Sequence, residues 1–148
     1  MTVLVDTGVL YADHDTDSAR HTAASDALET VYDGELGQPY VSEYVYDEAV
    51  TLTLKRSNSV EAARRLGRRL RGTGSFPKVY EILHVSHPMF TDGIDVFERY
   101  DDLNLSFTDS VLIAQAEHHD IDGVLSFNDD FDGRRRPTRP GGPVEHNP

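Results

Sequence analysis

The chain contains no cysteine, and only two of its 148 residues are lysine, Lys55 and Lys78. Without thiols there is no disulfide framework, no thiolate metal site and no cysteine nucleophile. Long apolar runs are missing too: no stretch reaches the length needed to span a bilayer. The first residues do not have the basic-then-apolar layout of a signal peptide. A cytoplasmic protein without membrane contact is expected. Positive charge is also scarce, with 26 acids against 14 Lys and Arg and a formal net charge of −12. Such self-repulsion costs stability in dilute buffer and is screened by concentrated salt. The surface therefore reads as that of a halophilic protein, the alternative being an ordinary acidic one. In a chain of this kind, global acidity says little against a nucleic-acid substrate.

At 16.5 kDa the chain fits one domain with a single core. Strand-like and helix-like segments alternate along it. Val3–Val5 reads as a buried strand, followed by a short helix near Val9–Ala12. A longer helix is expected from Asp17 or Ser18, closed by Gly34 and Gly37. Pro39–Val41 reads as a strand, and Ser42 caps the next helix. A further helix runs from Asn58 or Ser59 to about Leu70, then a strand over Val79–Val85. Pro88 suits the start of a helix reaching Tyr100. Thr108 is expected to cap a helix from Asp109 to about His118, and Gly123–Phe127 is the fourth strand. The alternation implies a three-layer α/β/α sandwich around a central, mainly parallel sheet. Residues 1–132 form this domain, and residues 133–148 read as a Pro/Gly/Arg-rich tail.

Four apolar segments end on or carry a carboxylate. Asp6 stops the first strand, and Glu48 shares a helical face with Val45 and Leu52. Asp109 opens an apolar helix, and Asp129 and Asp130 follow the fourth strand. A carboxylate turned inward costs several kcal/mol unless it is paired or bound to metal. Each acid also has an ordinary explanation: Asp6 as a turn residue, Asp109 as a partner of the helix dipole. In parallel sheets, ligands collect at the carboxyl ends of the strands. A hard divalent cation, Mg²⁺ or Mn²⁺, bound by oxygen ligands and water explains these acids together. Such a cation activates a water against a phosphodiester, and no serine, cysteine or histidine nucleophile is needed. Arg64, Arg68 and Arg71 share one helical face, with Arg65 and Arg69 beside it. They read either as a phosphate-contacting stripe or as a solvated face. Arg134, Arg135, Arg136 and Arg139 make the tail basic. Tyr40, Tyr44 and Tyr46 cluster around the second strand and the next helix, part core and part available to a partner.

The motifs Val5-Asp6-Thr7-Gly8-Val9-Leu10, Asp47-Glu48, Leu105-Ser106-Phe107-Thr108-Asp109-Ser110 and Leu125-Ser126-Phe127-Asn128-Asp129-Asp130-Phe131 resemble, in order, those of a PIN domain. The closest subgroup is the VapC-type toxins, and the resemblance spans residues 1 to about 132. Asp17 and His21 also resemble a feature of some VapC-like chains, His21 being taken as structural. The resemblance implies a Mg²⁺- or Mn²⁺-dependent endoribonuclease, with RNA as substrate. Asp6, Glu48 and Asp109 match the family's first three acidic positions as catalytic and metal-binding residues. At the fourth, Asn128 stands where the family carries an acid. Asparagine can coordinate through its carbonyl oxygen without bringing charge, and Asp129 or Asp130 stands in if the turn shifts by a residue. A homodimer and a VapB-type antitoxin are also implied. The alternative is a PIN-fold RNA- or protein-binding module with weakened chemistry. A receiver-type signalling domain fits poorly because Lys78 is misplaced for it. An aspartate-nucleophile hydrolase would need a second acid where Gly8 stands.

Overall fold

The computed structural model describes residues 1–100, 104–127 and, for the backbone, 136–138. β1 (Thr2–Val5) is the centre of the sheet. Its Val3, Leu4 and Val5 are almost fully buried, the unbroken apolar pattern of a parallel strand covered on both faces. β2 (Gln38–Ser42) and β4 (Gly123–Leu125) flank it, β3 (Glu81–Leu83) lies outside β2, and β5 (Arg136–Thr138) lies outside β4. Every pairing is parallel. Gly37 makes the entry to β2 possible: its φ is +72°, and a Cβ there would sit 1.7 Å from the Met1 carbonyl oxygen.

Among the described residues six helices connect the strands: α1 (Thr7–His14), α2 (His21–Tyr32), α3 (Glu43–Ser57), α4 (Val60–Arg71), α5 (His87–Arg99) and α6 (Phe107–His118). The path β1→β2→β3 steps one way across the sheet, and β3→β4 steps back past β1. Right-handed crossovers then put α1 to α4 on one face and α5 and α6 on the other. The helix contacts agree: α1 packs on α2 and α3, α3 on α4, and α5 on α6. The result is the three-layer sandwich expected from the alternation.

Local chemistry explains the helix starts. Ser42, Ser59 and Ser86 each accept a backbone N–H of the first turn. α6 is capped by Ser106, not by Thr108. Ser106 and Asp109 exchange side-chain and backbone bonds in a full capping box, a geometry that needs the acid three residues after the cap. α2 begins at His21, later than Asp17, because Asp15 to Arg20 are used in turns. His21 Nδ1 lies 2.9 Å from the Ala12 carbonyl oxygen, a structural contact between α2 and α1. The third and fourth strands are shorter than the sequence implied. Residues 136–138, inside the segment read as a tail, form the edge strand β5. Pro137 is tolerated there because an edge strand can spare one N–H.

Candidate active site

The strand order reverses between β1 and β4, which is where a crevice opens beyond the carboxyl ends of an α/β sheet. Asp6 follows β1 at this point, and its N–H donates to the Leu125 carbonyl at the end of β4 (3.0 Å). Asp6 is also the N-cap of α1, accepting the Thr7 N–H at Oδ1 (2.8 Å). Its Oδ2 accepts the Ser126 hydroxyl (2.8 Å). Both carboxylate oxygens are therefore oriented, one by Thr7 at the start of α1 and one by Ser126 just past β4. A cleft of about 440 Å³ opens here, lined by Asp6, Tyr11, Ser18, Arg20, Arg56 and Phe127 among others.

Asp109 reaches the same region from the opposite layer, in the first turn of α6. It is 8% exposed. Its Oδ2 accepts the Ser106 N–H and its own N–H donates to Ser106 Oγ, both at 3.0 Å. The capping role explains the residue locally, yet its charge is felt across the crevice. The Asp6 carboxyl is pushed up to about 6 from 3.8, first by burial and next by Asp109, with Glu48 adding to the effect. Hydrogen bonds from Ser126 and Thr7 act the other way. Three carboxylates from three elements thus share one electrostatic neighbourhood.

Glu48 reaches it differently from the sequence expectation. The buried face of α3 is Val45, Ala49 and Thr53, and Glu48 is exposed beside it. No burial cost attaches to it. Its Oε1 accepts the Thr7 hydroxyl (3.0 Å), so Thr7 joins Asp6 through its N–H and Glu48 through its side chain. Thr7 and Ser126 are the residues the sequence reading passed over as site members. Their signal was a hydroxyl next to an acid in the first motif and one just past β4.

Asn128, Asp129 and Asp130 lie outside the described residues, as do Arg134, Arg135 and Arg139. Arg64, Arg68 and Arg71 are on α4 and do not line the cleft. Arg68 pairs with Glu61, Arg71 donates to the Gly67 carbonyl, and Arg64 is exposed. Arg69 pairs with Asp13 at 3.4 Å. The cleft instead carries Arg20 and Arg56, which no sequence pattern linked.

Among the described residues, no three Asp, Glu or His side chains form a ready cage for a cation. Mg²⁺ and Mn²⁺ do not need one: one or two carboxylates with waters and substrate phosphates suffice. An all-oxygen donor set with mutually repelling carboxylates fits such an ion and does not fit a soft metal.

Comparison with known proteins agrees with this architecture. The PIN-domain family model matches residues 3–136. None of the curated proteins matches the sequence. Among solved structures, Mycobacterium tuberculosis VapC20, described as a toxin cleaving the sarcin–ricin loop, has 23% identity and a TM-score of 0.73, over 87% of this chain and 92% of that one. A toxin–antitoxin complex from Klebsiella pneumoniae has 19% identity and a TM-score of 0.65, over 93% and 97%. VapBC2 from Rickettsia felis, bound to a promoter DNA fragment, has 12% identity and a TM-score of 0.68, over 94% and 98%. With the family model covering nearly the whole described fold, the chain belongs to the PIN-domain family.

Proposed function

We propose that this protein is a divalent-metal-dependent endoribonuclease, the toxin of a VapBC-type toxin–antitoxin pair. The observation that carries the reading is the Asp6 carboxylate at the reversal of strand order, its two oxygens fixed by the Thr7 N–H and the Ser126 hydroxyl, with the charges of Asp109 and Glu48 acting on it. Such an arrangement is unfavourable alone and becomes favourable around a cation. A bound Mg²⁺ or Mn²⁺ supplies a water of lowered pKa and neutralises charge on the attacked phosphate. Asp6 and Asp109 would hold the ion, with Glu48 facing it and the Asn128–Asp130 segment completing the set. Thr7 orients Glu48, and the Ser106 N–H orients Asp109.

The fold likeness to VapC and VapBC structures supports an antitoxin partner of the VapB type. An exposed aromatic group supports a homodimer: Phe90 and Phe97 on α5, 40% and 45% exposed, pack against Phe107, which also meets Tyr44. Four rings on one surface suit a second copy. None of the helices among the described residues is long and apolar enough to cross a membrane, in keeping with a cytoplasmic role. The net charge of −12 with two lysines fits a salt-adapted surface.

The test is cleavage of single-stranded RNA in Mn²⁺ with analysis of the new ends. Attack by water leaves a plain phosphate, and a substrate with 2′-deoxy sugars at the cut site is still cleaved. Ends carrying a 2′,3′-cyclic phosphate, or cleavage that persists in EDTA, would overturn the reading.

A further inference from the structure

Two arginines from distant parts of the sequence stand in the same cleft as Asp6 and Ser126. Arg20 precedes α2, and its guanidinium carbon lies 4.6 Å from the centroid of the Phe127 ring. Arg56, in the last turn of α3, lies 5.1 Å from the Tyr11 ring centroid. Both side chains are exposed. Among the described residues neither makes a direct ion pair, whereas Arg68 and Arg69 on α4 are paired with Glu61 and Asp13. Arg56 is steadied by the Tyr11 hydroxyl and by the charge of Asp15, to which that hydroxyl donates. In a chain of net charge −12, two exposed guanidiniums brought without a direct ion pair to the cleft of Asp6 need an explanation.

The ring faces supply part of it. A cation on an aromatic face is held in place at little cost, and its N–H donors are left to other acceptors. Guanidinium takes phosphate oxygens in a fixed fork, so a pre-positioned pair suits a chain of phosphates. The cleft has the size of a small-ligand site, about 440 Å³, enough for a nucleotide or two. Phe127 is half-buried, so its ring is a fixed seat for the Arg20 guanidinium.

We propose that Arg20 and Arg56 form a phosphate clamp, binding the single-stranded RNA backbone next to the scissile phosphodiester, with Phe127 and Tyr11 seating the two guanidiniums. The clamp rests on the nuclease reading for the identity of its ligand. It supplies the positive charge that the overall acidity of the protein otherwise denies an RNA strand. The arginines act in binding and positioning.

The test uses the full chain and a short labelled single-stranded RNA, titrated by fluorescence anisotropy in EDTA over a range of salt concentrations. Arg20→Gln and Arg56→Gln are each expected to weaken binding about five- to tenfold. Each is also expected to reduce the slope of log affinity against log salt by about 0.7, the value for one phosphate contact on a single strand. Arg20→Lys and Arg56→Lys restore the slope, because it counts charges. Lys78→Gln, remote and paired with Glu81, leaves it unchanged. In Mn²⁺ the glutamine variants raise KM and largely keep kcat. RNA bound as by wild type, with the same slope, by both variants overturns the clamp while Mn²⁺-dependent cleavage keeps the nuclease. Absence of RNA binding by wild type, or a slope that falls in Arg64→Gln instead, also overturns it. Loss of affinity for an antitoxin peptide with RNA binding intact assigns the arginines to a protein partner and overturns it too. If the clamp behaves as described and no Mn²⁺-dependent cleavage occurs, the nuclease reading fails and the binding site stands.

Discussion

Replacing Asp6 by Asn should make the metal-free protein more stable. Burial and the charge of Asp109 push the Asp6 carboxyl up to about 6 in the folded chain, against an ordinary 3.8. A proton is therefore held more tightly in the native state than in the unfolded one. The stability linked to this group is fully present below pH 4 and is lost as pH rises through 6. At about 1.4 kcal/mol per pK unit, the ionised group costs the native state up to about 3 kcal/mol above pH 6. Asparagine is neutral at every pH and keeps an acceptor oxygen for the Thr7 N–H, the capping bond of α1. In urea denaturation at about pH 8 with EDTA, Asp6→Asn should gain about 2–3 kcal/mol, or about 5–10 °C in Tm for a domain of this size. The gain should vanish below about pH 4. Saturating Mn²⁺ reverses the order: wild type gains about 3 kcal/mol at a hundredfold excess over Kd, and the variant gains little. An Asp6→Asn protein that is equally or less stable at pH 8 in EDTA would refute the reasoning, because burial and carboxylate repulsion would then not act on Asp6.

Glu48→Gln should leave stability within about 0.5 kcal/mol of wild type, since the residue is exposed, while Mn²⁺-dependent cleavage falls at least tenfold; a large loss of Tm would return Glu48 to the core. Gly93→Ala should be destabilising by about 1–2 kcal/mol despite a helix-propensity gain of about 1, because the added Cβ meets Val111 Cγ2 at 2.8 Å where α5 packs on α6; a rise in Tm would show that the helices can separate freely. Molar KCl should raise the Tm of the wild type by several degrees as the net charge of −12 is screened, and a Tm independent of KCl would rule out the salt-adapted surface.

The parts of this molecule legible in the sequence are those where one local rule acts alone. Val3–Val5 announced a buried parallel strand, and Asp6 after it was placed at the crevice by topology. The serines at 42 and 59 marked helix starts correctly. The misreadings arose where two rules competed. Ser106 and Thr108 both suit a cap, and the acid at 109 decides for Ser106 through the capping box. Glu48 borders the buried face of α3, and spacing from Val45 and Leu52 could not tell the edge of a face from its centre. Pro137 and the surrounding arginines hid an edge strand, whose pairing depends on β4 and not on its own composition. The arginines of α4 make a visible pattern because they are close in sequence. Arg20 and Arg56 come together only through the packing of α1, α2 and α3, and no linear pattern reveals that.

The central claim is that carboxylates from β1 and α6 jointly hold a catalytic cation. Asp109→Asn tests it most directly, because asparagine can still accept the Ser106 N–H and preserve the start of α6 while removing one charge from the site. The measurement is Mn²⁺-dependent cleavage of single-stranded RNA by wild type and variant, with Tm in EDTA as the check on folding. The account predicts an active wild type and a loss of at least about a hundredfold in a variant whose Tm is unchanged or higher. Equal activity of the two proteins would contradict it.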